Sequence, residues 1–154
     1  GRFEEALHLR RVVYSGFVRI YGEEHGETSL PACNYVVSLL TLKHFEEAKS
    51  LLRKTVPVAR RFLGENTNFT LKMRWIYAMA LYEDPSATLD DVREGVSTLE
   101  DAGRIARRVF GGENPLVTGL VRSLQKAQAA FAAREGEQVE SIREAVGAMT
   151  PGGA

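Results

Sequence analysis

The chain of 154 residues has one cysteine, one tryptophan and five prolines. With Cys33 alone, no intrachain disulfide and no thiolate metal cage can form, and a reducing, cytoplasmic setting is expected. Charge of one sign is lacking too: Lys and Arg match Asp and Glu at 20 each. That balance removes the electrostatic footprint of a dedicated nucleic-acid binder. Apolar runs such as Ile76 to Tyr82 are too short to cross a bilayer, and no signal-peptide pattern opens the chain. Nucleic acid and membrane are therefore not expected as partners. The three histidines, His8, His25 and His44, are scattered without ligand partners at metal-binding spacing. Neighbouring carboxylates such as Glu46-Glu47 and Asp90-Asp91 lie on solvated helix starts, where nothing would shift a pKa. Gly111-Gly112 lacks the spacing and the Lys-Ser/Thr of a phosphate loop. No catalytic residue, metal or cofactor is expected, and the chain does not read as an enzyme.

What is present is a repeat. Hydrophobic residues at 44% and charged residues at 26% fit one packed domain or a short repeat array. Phe3-Glu4-Glu5-Ala6 recurs as Phe45-Glu46-Glu47-Ala48, and at the same offset Gly22-Glu23 becomes Gly64-Glu65 and Thr28 becomes Thr70. A third copy follows at a wider offset, with Val58-Ala59-Arg60-Arg61 becoming Ile105-Ala106-Arg107-Arg108 and Gly64 becoming Gly111. The extra residues fall in Glu83-Asp84-Pro85-Ser86-Ala87, which has turn composition.

Each period reads as two helices. Phe45, Ala48, Leu51, Leu52, Thr55, Val56, Ala59, Phe62 and Leu63 follow the three-and-four spacing of an amphipathic helix. Gly22, Gly64 and Gly111 act as stops. The pairs Arg10-Arg11, Arg60-Arg61 and Arg107-Arg108 read as charge suited to the negative helix end. Thr88 with Asp91 predicts a capping box, Pro115 a first helical turn, and Pro57 a kink. Partner helices are expected near 28–42, 70–83 and 115–133. A turn at Arg134-Glu135-Gly136-Glu137 would then precede a short capping helix carrying Val139, Ile142, Ala145, Val146 and Met149. The predicted organisation is an orphan second helix at 3–21, a repeat at 26–63, a repeat at 67–110 with a loop insertion at 83–88, a last repeat and cap at 115–149, and a disordered tail at 150–154. The first residue is Gly1 and the helical pattern starts at once, so the chain reads as a piece of a longer polypeptide with any targeting segment upstream.

These units resemble the long tetratricopeptide repeat of kinesin light chains, which has a glycine-acidic-x-His-Pro turn, a Leu-Asn-Asn-Leu-Ala helix and an aromatic-x-Glu-Ala opening. Gly22-Glu23-Glu24-His25-Gly26 fills the turn, Ala32-Cys33-Asn34-Tyr35-Val36 the asparagine motif, and Phe45-Glu46-Glu47-Ala48 the opening. Gly111-Gly112-Glu113-Asn114-Pro115 keeps the proline and replaces the histidine. The segment from Ala87 to Glu94, followed by Ala106-Arg107-Arg108, is similar to a variety common in algal kinesin-light-chain-like proteins. The resemblance spans Phe3 to about Ala133. Of the paired asparagines that help hold peptide backbone in the family, only Asn34 remains, and no heavy-chain-binding heptad run is present.

The resemblance implies an all-α solenoid of about seven helices in a right-handed superhelix, with the first helix of each pair lining a concave peptide groove. Helical spacing would turn Tyr35, Val36 and Leu39 inward, leaving Leu30, Cys33, Asn34 and Val37 toward the groove. Lys72, Trp75 and Met79 would follow, then Arg122 and Lys126. The expected function is a protein-interaction scaffold holding a partner segment with an acidic end and an apolar or aromatic anchor, Trp75 meeting the anchor. Two readings stay open: Trp75 is a groove contact or a core residue, and the array is a binding module or a structural spacer. The uncovered apolar side of the first helix is further expected to favour self-association.

Overall fold

The computed structural model describes residues 1–150 and 152. It contains six α-helices and no strand among them: α1 (Arg2–Tyr21), α2 (Ser29–Thr41), α3 (Phe45–Leu63), α4 (Asn68–Tyr82), α5 (Leu89–Phe110) and α6 (Pro115–Met149). A single 3₁₀ turn, Gly26–Thr28, precedes α2. Of the expected tail, Pro151, Gly153 and Ala154 lie outside the described residues.

Local chemistry sets the helix ends. Gly22, Gly64 and Gly111 close α1, α3 and α5 with φ of 92°, 92° and 86°. Their ψ values lie between 151° and 161°, a region that only glycine enters without strain. Thr67 caps α4 by accepting from the Thr70 N–H. The expected capping box of α5 forms, with Thr88 Oγ1 accepting from Asp91 and the Asp91 carboxylate from the Thr88 N–H. Asn114 accepts from the Leu116 N–H ahead of Pro115, leaving proline at the one turn where it needs no donor. Pro57 lies on the exposed side of α3, which continues through it.

Consecutive helices pack on one another from α1 to α6. Beyond those neighbours, α2 meets α4 and α4 meets α6, whereas no Cα atoms of α1 and α3, or of α3 and α5, come within 8 Å. Even-numbered helices thus form a touching inner layer and odd-numbered ones a splayed outer layer, which is the geometry of a curved stack. Two core clusters result. One joins Leu7, Tyr35, Val36, Leu39, Leu52, Val56 and Met73; the other joins Leu71, Ala78, Val92, Leu99, Leu116 and Leu120. Only α4 contributes to both.

Three expectations need correcting. The helices number six rather than about seven, because α6 runs unbroken through Arg134, Glu135, Gly136 and Glu137. One glycine in a helix costs only about 1 kcal/mol, too little to end it among good helix formers. The expected cap therefore does not fold back: every residue from 135 to 149 is exposed, including Val139, Ile142, Val146 and Met149. Finally, Arg10 and Arg11 lie in mid-α1 and do not face a helix end. Arg10 donates to the Asn34 carbonyl at 3.1 Å and Ser38 Oγ at 2.8 Å, and Arg11 to Tyr35 Oη at 2.8 Å. Both tie α1 to α2.

Candidate functional site

The inner layer carries the candidate residues. Tyr35, Val36 and Leu39 are buried, so the opposite edge of α2 shows Leu30, Asn34 and Val37 to solvent. Asn34 is exposed, and its side-chain amide has no hydrogen-bond partner among the described residues. On α4 the same logic exposes Lys72 while Leu71 and Met73 beside it are fully buried. On α6, Arg122 and Lys126 are exposed, and Leu120, Ser123 and Ala127 are buried.

Trp75 sits half-buried between α4 and α6. Its indole N–H donates to Ser123 Oγ at 2.6 Å. Its six-membered ring lies over Gly119, where an added Cβ would come within 2.2 Å of it. Only glycine admits the ring there, and Ser123 satisfies its polar handle. A bound segment would meet no more than the remaining edge. Met79, also half-buried, packs against the same cluster.

Two features of this face escaped the sequence reading. Glu83 ends α4 beside Lys126; desolvation pushes its carboxyl above the ordinary range, with Lys126 pulling it the other way. An acid thus interrupts the basic end that Arg122 and Lys126 suggested. A side chain's charge is legible in sequence, but a neighbour one helix away is not. The second feature lies beneath the surface in the 83–88 loop. Asp84, expected as a turn residue, is buried and pairs with Lys49 Nζ at 3.1 Å, while Arg134 donates to the carbonyls of Asp84 and Ala87.

Cys33 is partly buried; desolvation raises its thiol and Lys72 opposes the rise. A thiol shifted that way is less nucleophilic than an ordinary one. His25 accepts from the Glu27 N–H at 3.2 Å, and its ring stacks between Tyr21 and Phe62. Among the described residues no cluster of three His, Cys, Asp or Glu side chains could hold a metal, and no helix is long and apolar enough to cross a membrane.

No protein-family model and no curated protein sequence matches the chain. Among solved structures, the crystal structure of BtubC (BKLC) from P. vanneervenii is similar, with a TM-score of 0.69 at 17% sequence identity. The match covers 100% of this chain and 61% of that one, so this chain spans about three-fifths of its neighbour's length. At this identity the likeness is one of fold, and the fold is an all-α, tetratricopeptide-type solenoid.

Proposed function

We propose that this chain is a protein-interaction scaffold whose concave face takes a partner segment with an acidic end and an apolar anchor. The observation that carries this reading is the row of exposed side chains along the touching inner helices: Asn34 and Val37, then Lys72, then Arg122 and Lys126. The three cations make no ion pair within 4.0 Å among the described residues, whereas Arg11, Arg53, Arg60, Arg93 and Arg104 of the outer layer each pair with a carboxylate. Unpaired cations on a shared face give steering and register to an acidic partner more than raw affinity. Trp75 and Met79 offer the anchor a half-buried apolar floor.

The test is an anisotropy titration with a fluorescent peptide bearing a leucine or tryptophan flanked by aspartates, beside an uncharged version. The acidic peptide is expected to bind more tightly, and the triple variant K72E/R122E/K126E to lose at least about tenfold in affinity. Equal binding of both peptides would remove the acidic preference. No binding of either, with the triple variant equally inert, would leave a structural spacer as the better reading.

A further inference from the structure

Successive outer helices do not pack on each other, yet two sets of side chains reach across the gaps between them. Arg11 of α1 donates through Nε to Tyr35 Oη at 2.8 Å and through a terminal nitrogen to Glu47 Oε1 at 3.4 Å. The Tyr35 hydroxyl in turn donates to Glu47, near the start of α3. One repeat further on, Arg53 of α3 donates to Tyr77 Oη at 3.3 Å, and that hydroxyl donates to Glu94 of α5 at 2.6 Å. The two sets correspond in sequence. Arg11 becomes Arg53 and Tyr35 becomes Tyr77 at the first repeat offset, and Glu47 becomes Glu94 across the loop insertion. In each set the tyrosine stands on an inner helix and its two partners on the outer helices to either side.

The stacking itself does not require such a set. The third copy has Glu100 and Leu124 in the arginine and tyrosine places, and α6 packs on α4 and α5 without it. Stability is not its evident purpose either. Arg11, Glu47 and Arg53 are about half exposed, and ion pairs in that setting contribute little. What distinguishes the sets is their position. Inner helices touch, so packing fixes their spacing, whereas no Cα atoms of successive outer helices come within 8 Å. Among the described residues the only ion pairs between successive outer helices are Arg11 with Glu47 and Arg53 with Asp91. Both involve these sets. At a fixed inner spacing, the outer spacing determines how sharply the stack curves.

We propose that Arg11–Tyr35–Glu47 and Arg53–Tyr77–Glu94 are struts that set the spacing of α1, α3 and α5, and with it the opening of the concave face. Each tyrosine ring is seated on its inner helix and holds its hydroxyl between a cation and a carboxylate. Bonds to charged partners are the strong, directional ones, so one spacing is favoured over the range that an unbraced stack would sample. The struts lie on the side away from Lys72, Arg122 and Lys126 and do not depend on what those residues bind. At the turn end, the stack of Tyr21, His25 and Phe62 also joins α1 to α3. Among the described residues no aromatic stack joins α3 to α5, so that gap gives the cleaner measurement.

The test is the distance between spin labels at Lys54→Cys on α3 and Glu100→Cys on α5, in a Cys33→Ser background, read by double electron–electron resonance. Both labelled positions are exposed and make no hydrogen bond or ion pair among the described residues. Tyr77→Phe removes the hydroxyl and keeps the ring, and Arg53→Met cuts the same strut from its other side. Each is expected to broaden the distance distribution by at least about 1.5-fold while circular dichroism keeps the parent helicity. Tyr35→Phe cuts only the other strut and should leave the α3–α5 distribution at its parent width. An unchanged distribution in Tyr77→Phe or in Arg53→Met would overturn the proposal. Equal broadening by Tyr35→Phe and Tyr77→Phe would overturn it too, since it would show a general loosening instead of a local brace.

Discussion

At the scale of single residues, the buried pair of Lys49 and Asp84 is where the chain has most to lose. Lys49 is 3% exposed and Asp84 5%. Burial would by itself lower the Lys49 pKa, yet hydrogen bonds to Glu46 and Asp84 hold it above the ordinary range. Burial would likewise raise Asp84, yet the Ser86 N–H and Lys49 hold it below the ordinary range. A depressed carboxylate contributes stability that is present above its unfolded pKa, about 3.9, and is lost as pH falls through the folded value. A raised ammonium contributes stability that is present below about 10.4 and is lost as pH climbs through the folded value. Lys49→Met strands a buried carboxylate, with an expected loss of about 3–5 kcal/mol at neutral pH. Adding Asp84→Leu should return much of that loss. Urea unfolding at pH 7 and pH 3 checks the account, because protonating Asp84 should shrink the gap between Lys49→Met and the parent. A gap that is the same at both pH values would show that lost packing, not the stranded charge, is the cause.

Trp75 teaches a related lesson about what single residues reveal. Helical spacing correctly separates the faces of α4, since Leu71 and Met73 are buried and Lys72 is not. Spacing cannot show that Gly119 and Ser123, far along the chain, make a seat for the indole. Gly119→Ala should push the ring out or cost about 1–3 kcal/mol through overpacking. A red-shifted Trp75 emission with little loss of stability would report the first outcome, and unchanged emission with lowered stability the second. If neither quantity moved, the ring would not be lying over Gly119.

At the scale of elements, the legible parts were those written in local chemistry. Three glycine stops, a threonine capping box and a proline at a first turn marked ends that the structure places within a residue or two. The join within α6 was misread because a polar stretch around Gly136 has turn composition, and composition alone does not outweigh helical continuity on both sides. Removing a stop should test the reverse case. Gly64→Ala forces a side chain into a glycine-only backbone region and is expected to cost about 1–3 kcal/mol, measured by thermal or urea unfolding. Gly103→Ala makes a useful contrast: it lies inside α5, with open space where its Cβ would go. That change should stabilise by a few tenths to about 1 kcal/mol.

At the scale of the whole molecule, the repeated phrases made the stacked-helix fold legible. Which side chains meet across it depended on contacts that no phrase records. The two core clusters share α4 and little else, so the molecule is a row of coupled units instead of one body around a single centre. In such a row stability is roughly the sum of unit and interface terms, and a damaged unit can open while its neighbours hold. Leu99 is fully buried in the α4–α6 cluster, and Leu99→Ala should cost about 2–5 kcal/mol. That loss falls on the half that Trp75 reports, since its indole is bonded to Ser123 of α6. In the variant, Trp75 emission is therefore expected to change at lower urea than the helical signal from α1, α2 and α3. Coincident transitions by both probes would mean that α4 couples the clusters tightly enough to unfold them together. The same experiment on Leu39→Ala, in the other cluster, should separate the probes in the opposite order, because α1 to α3 would then melt while Trp75 keeps its seat.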